Sequence, residues 1–167
     1  MASHMFYVYM IVLYDKMGYT FKQLHNINTK LYEEKAKYMN EDDETVTRQS
    51  LLNYSIKKNA GLIQFVENIS STDIVKLANV KKLTKDTPEA AKYGLLNTLL
   101  LMYPILKENY KFSQAKTKEF LKWVAYAIHM YNTKLPGEGT TVYSDEYIRQ
   151  IFIEDEHWDF KTGEKTA

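Results

Sequence analysis

Three of the four histidines, His25, His129 and His157, lie beyond the opening Met1–Met5 and offer the widest chemical range in the sequence, since imidazole can move protons or bind a metal at neutral pH. None sits in an HExxH or comparable ligand spacing. The densest set of oxygen and imidazole donors is Glu154, Glu156, His157 and Asp159, which has the composition of a divalent-ion site for hydrolysis. The simpler reading is a solvated acidic tail, with Trp158 and Phe160 docked on the body, and it is preferred because charge runs are usually surface or interaction segments. No Ser-His-Asp arrangement or glycine-rich nucleotide loop can be read. Pro136-Gly137-Glu138-Gly139 is a turn and not a phosphate loop, as no Lys-Ser/Thr follows. The chain is therefore read as a non-enzyme needing no metal or cofactor.

Lysine is the second candidate chemistry. Residues 1–75 carry 8 basic and 9 acidic side chains, 76–134 carry 11 and 4, and 135–167 carry 3 and 8, so a near-neutral chain has a basic middle. Lys81, Lys82 and Lys85, with Lys116, Lys118 and Lys122, form a candidate nucleic-acid surface if they share one face. Arginine, the bidentate reader of phosphate and bases, is missing from that set. Solvation of two apolar helices accounts for the lysines more simply. The third candidate is aromatic. With 14 Tyr in 167 residues, and Tyr and Trp favoured at interfaces, Trp123, Tyr126 and Met130 are the expected protein-binding residues.

Positioning these groups requires helices. The length suits one domain, and the absence of cysteine excludes a disulfide scaffold or a thiolate metal site. Met1 to Met5 reads as an expression scar outside the fold, residues 6–160 as one helical domain, and 161–167 as a frayed tail. The predicted class is all-α with six or seven helices, residues 6–16 being either a buried helix or a short strand.

Gly18 should end that first element, and Thr20-Phe21-Lys22-Gln23 has capping-box spacing for a helix over about 20–39. Acids at 41–44 precede an amphipathic stretch through Val46, Leu52 and Ile56, with Gly61 expected just past its end. Residues 62–83 suggest one short helix, then another capped within Ser71-Thr72-Asp73. Thr87-Pro88-Glu89 opens a helix apolar on nearly every face from Ala90 to Leu101, which Pro104 should kink or end. Ser113 opens a helix to about Asn132 with two stripes: Phe120, Leu121, Val124, Ile128 and Tyr131, then Trp123, Ala127 and Met130. Ser144-Asp145-Glu146 caps a last helix ending near Ile153.

Within Tyr9 to Asn26, YMIVLYDKMGYTFKQLHN, an apolar helix ends in Leu13-x-Asp15-Lys16-x-Gly18-Tyr19 and a second helix follows with Leu24. This resembles the opening of a group of small, uncharacterised phage proteins of low-GC Gram-positive bacteria. Met17 stands where an aromatic is usual, and Thr20 replaces a second glycine. The resemblance spans about a tenth of the chain. It implies a mobile-element origin and no particular activity. With no export signal and no cysteine, the expectation is a cytoplasmic protein with no membrane span. Its expected role is to bind and regulate or inhibit a macromolecular machine, for example as an anti-CRISPR inhibitor of a host defence nuclease. The alternative is a nucleic-acid-binding regulator using residues 76–122.

Overall fold

A computed structural model describes residues 2–38, 60–77, 83–135, 139–140, 143–144, 147, 158–159 and 164–165. The expected helix through Val46 and Ile56, most of the last helix, the Pro136 turn, Lys81, Lys82 and Glu154–His157 lie outside them. The rest is an all-α domain. Its helices are α1 (Ala2–Met17), α2 (Phe21–Tyr38), α3 (Ala60–Glu67), the single turn α4 (Ser71–Ile74) running into a 3₁₀ turn (Val75–Leu77), α5 (Thr87–Tyr110) and α6 (Gln114–Met130). Two antiparallel ladders of two residues per strand follow: Lys134–Leu135 against Gly139–Thr140, and Trp158–Asp159 against Glu164–Lys165.

The first element is a helix, not a strand. Val8 to Leu13 are fully buried, so every side of this stretch meets protein: α6, α5 and α2 all pack on it. A helix enclosed on all sides loses the polar/apolar periodicity that would have identified it. Its one buried hydroxyl, on Tyr9, donates to the Leu95 carbonyl of α5 at 2.7 Å, and the Tyr9 ring lies 6.0 Å from that of Phe120 on α6. Helix α5 is the second hub, touching α1 to α4, with Ala91, Leu95, Leu99, Met102 and Leu106 fully buried.

The helix ends follow local chemistry. Gly18, at φ +72°, turns the chain so that the Tyr19 N–H reaches the Leu13 carbonyl at 3.0 Å. The capping box then forms in full. Thr20 N–H donates to Gln23 Oε1 at 2.9 Å, and Gln23 N–H donates to Thr20 Oγ1 at 3.2 Å. Ser113 Oγ accepts the Lys116 N–H at 3.1 Å, and Ser144 Oγ accepts the Tyr147 N–H at 3.1 Å.

Other expectations need correction. The cap of α4 is Ser70, one residue earlier, whose Oγ takes the Asp73 N–H. Thr87 is the first residue of α5 and not its N-cap; its hydroxyl turns back to accept the Thr84 N–H at 2.8 Å. Gly61 is the second residue of α3, and a Cβ there would meet nothing, so no steric demand explains the glycine. Pro104 does not end α5, which runs one and a half turns further to Tyr110. Its ring sits on an exposed face of the helix, where it displaces no packed neighbour. Helix α6 stops at Met130, two residues short of expectation. Tyr131 turns extended and Asn132 takes φ +53°, sending its N–H to the Tyr143 carbonyl at 2.8 Å.

Two stability changes follow. Tyr9→Phe removes the buried hydrogen bond from α1 to the Leu95 carbonyl of α5 and should cost about 1 kcal/mol in urea unfolding. An unchanged midpoint would mean the hydroxyl contributes nothing. Lys111 sits in the left-handed region at φ +54° at the end of α5, where a side chain is strained. Lys111→Gly should therefore raise stability by about 0.5–1 kcal/mol, against the usual sign for a glycine substitution.

Candidate functional site

The best-formed surface feature is built where α1 ends beside α6. Because Gly18 breaks α1 just after Lys16, Asp15 and Lys16 are delivered to the middle of α6. Lys16 Nζ stands 4.5 Å from the Trp123 ring centroid, and Lys122 Nζ stands 5.4 Å from it, both in cation–π range. Trp123 meets Tyr126 edge to face at 5.8 Å and 86°, and Tyr126 meets Tyr143 the same way at 5.7 Å and 89°. Tyr143 closes the circuit, its hydroxyl donating to Asp15 Oδ2 at 3.4 Å, while Lys16 lies 3.8 Å from that same oxygen. Burial, and then the Asp15 carboxylate, push the Tyr143 phenol well above its ordinary pKa, so it stays a donor at physiological pH.

The expected protein-binding residues thus share one flank of α6 but not one role. Trp123 is half-buried beneath two ammonium groups, and Met130 is half-buried against the core. Ala127, placed in the same stripe from sequence, is fully buried, so that stripe is mainly interior. Tyr126 is the exposed member, at 44% of its surface. The other large exposed apolar side chains among the described residues, Tyr32 and Leu83, lie on α2 and before α5. Isolated apolar residues of that kind are ordinary.

The candidate nucleic-acid lysines are less united. Lys116 Nζ stands over Phe112 at 4.8 Å and Tyr19 at 5.6 Å, at the start of α6. Lys118 and Lys122 are one helical turn apart and exposed, and Lys85 is exposed ahead of α5. Lys92, from the same basic region, donates to the Glu67 carbonyl at 2.9 Å.

Sequence reading missed a second cluster. His129 Nδ1 lies 3.1 and 3.2 Å from the two oxygens of Asp73, and Lys76 Nζ lies 3.5 Å from Asp73 and donates to the His129 carbonyl. It clasps α4 to the C-terminal turn of α6, where a cation also suits the helix dipole. Partial burial alone would push the Asp73 carboxyl up, but the His129 hydrogen bond, with the charges of His129 and Lys76, holds it below its ordinary value. The 56 residues separating Asp73 from His129 leave no local pattern to find. The imidazole side chain is 66% exposed and no third ligand joins it, for among the described residues no group of three or more His, Cys, Asp or Glu is placed to hold a metal. Nor is any described helix long and apolar enough to cross a membrane.

The residues carrying the phage-protein resemblance all have structural work in this region. Leu13 accepts the turn-closing hydrogen bond, Asp15 accepts Tyr143, Lys16 covers Trp123 and Gly18 takes the positive φ. Tyr19 packs between Tyr110 and Phe112, and Leu24 is fully buried. Burial, followed by the neighbouring Tyr110, pushes the Tyr19 phenol up to about 12. No protein-family model, curated protein or solved structure matches the chain.

The clasp carries a pH signature. Because the folded state depresses the Asp73 pKa, its contribution is complete above the unfolded value of about 4 and is lost as pH falls through the folded one. Asp73→Asn should therefore lower Tm at pH 7, and the gap to the parent should close in acid. A gap that persists unchanged below the carboxyl range would show that the charge of Asp73 is not what stabilises the clasp.

Proposed function

We propose that this is a non-enzymatic interaction protein that regulates or inhibits a macromolecular machine by direct protein binding, with the outer flank of α6 as its docking face. The observation that supports this most strongly is Tyr126. Its ring is exposed yet braced edge-on by Trp123 and Tyr143, so it can be buried on binding with little loss of side-chain freedom. Rigid, half-exposed aromatics of this kind supply the anchors of protein interfaces. The resemblance of residues 9–26 adds a phage or mobile-element origin to the reading. A host defence nuclease of the CRISPR type is one machine such a protein would inhibit.

Nucleic-acid binding through residues 76–122 is the weaker alternative. Lys76 and Lys92 spend their ammonium groups on the chain's own carboxylate and carbonyls, leaving fewer free cations than the composition suggests.

A tagged pull-down from lysate of a low-GC Gram-positive bacterium, halved and nuclease-treated on one side, separates the two readings. One stoichiometric protein should survive nuclease and be lost with Tyr126→Ala but kept with Tyr32→Ala. A mixture of proteins that vanishes on nuclease treatment would overturn the protein-binding reading in favour of nucleic acid.

A further inference from the structure

The charge around Tyr126 says what kind of partner fits. Lys16 and Lys122 are both held over one indole, so two mutually repelling ammonium groups are fixed in place beside the exposed ring. Lys118 adds a third, one turn before Lys122 on the same side of α6. Among the described residues neither Lys118 nor Lys122 meets a carboxylate, and both are exposed. Two acids lie nearby. Asp15 is already engaged by Tyr143 and Lys16, and Glu119 is exposed one turn before Trp123. With Lys16 and Asp15 paired, Lys118 and Lys122 face Glu119 alone, so the uncommitted balance is positive and lies beside an apolar anchor.

Taking α6 as the docking face, as the reading above does, we propose that its occupant is an acidic segment of a protein partner. Its carboxylates meet Lys118 and Lys122, and an apolar side chain packs against Tyr126. Carboxylates on a polypeptide fit better than a nucleic-acid strand because bases stack on open ring faces, whereas two lysines stand over the Trp123 ring and Tyr126 is held edge to face between two others.

The test uses the full chain and a displayed library of random short peptides, selected at about 300 mM salt to suppress diffuse attraction. Enriched peptides should combine Asp or Glu with an aliphatic or aromatic residue. Their binding should weaken by about tenfold or more with Tyr126→Ala, which leaves the charge unchanged, and with Lys118→Glu/Lys122→Glu. It should survive Lys30→Glu/Lys35→Glu, an equal charge change on α2, with folding of each variant checked by circular dichroism. Neutral or basic winners, or winners indifferent to the α6 variants, would overturn the acidic-partner proposal while leaving protein binding in place. No winners, with a single-stranded oligothymidine bound instead and lost on the lysine reversals, would overturn both. Acidic winners obtained only after Glu154, Asp155 and Glu156 are changed to Ser would mean the chain's own carboxylates occupy the face, and the proposal would fall. No enrichment in any arm would overturn it as well, and the pull-down would then decide protein binding separately.

Discussion

A helix without a polar side is the constraint from which the rest of this structure follows. Val8 to Leu13 present apolar or aromatic groups in every direction, and each large side chain sheltered from water stabilises the fold by roughly 2 kcal/mol. One neighbouring helix could cover only one stripe of such a cylinder. The chain therefore places α6, α5 and α2 round it. The Tyr9 hydroxyl is the one side-chain polar group in that stretch, and leaving it unpaired would forfeit much of what its ring contributes. Its hydrogen bond to the Leu95 carbonyl satisfies it and pins α1 against α5. Aromatic contacts continue outward from Tyr9 to Phe120, Phe112, Tyr19 and Tyr110, so the tyrosine excess is first a consequence of filling this core.

The same helix determines where the surface feature stands. Once α1 is enclosed, its polar end must emerge somewhere, and Gly18 ends it two residues after Lys16. Asp15 and Lys16 then reach two elements distant in sequence: α6 through Trp123, and the later segment through Tyr143. Asn132, in a left-handed conformation, binds the Tyr143 carbonyl and fixes the return of the chain. Tyr126 stands exposed between two neighbours that are themselves held by these contacts. The short Asp-Lys-x-Gly-Tyr pattern is thus accounted for by architecture, with each residue closing a turn, a contact or a core. It needs no reactive chemistry.

Features governed by local physics were legible in the sequence. The reciprocal Thr20–Gln23 box, the Ser113 and Ser144 caps and the 3.6-residue spacing of Leu24, Ile27, Phe120, Val124 and Ile128 depend on residues a turn apart, and they stand where the sequence puts them. Features that depend on what surrounds an element were not. Helix α1 has no periodicity because it has no outside. Pro104 lies on a side of α5 that meets water, which the sequence of α5 alone does not reveal. Trp123 reads as a bare interface residue until Lys16, more than a hundred positions earlier, is placed over it. The Asp73–His129–Lys76 clasp is invisible for the same reason: its two halves belong to different helices.

Lysine counting shows why placement decides function where composition cannot. A segment with 11 basic and 4 acidic residues looks like a polyanion surface, yet long-range attraction depends on charges acting together on one face. Lys76 is neutralised by Asp73 and Lys92 reaches a carbonyl, so part of that charge is spent within the fold. Lys122 differs in kind. A ring quadrupole orients an ammonium group without neutralising it, so Lys122 keeps its charge over Trp123 while losing freedom, and Lys16 shares that ring while paired with Asp15. Lysine elsewhere on a surface must give up rotamer entropy before it can grip an anion. Here the indole has already imposed that loss, and the cation is left presented beside a rigid phenol. Pre-organised charge next to a pre-organised apolar anchor favours one partner geometry over diffuse attraction, and that combination is found on α6 beside the end of α1.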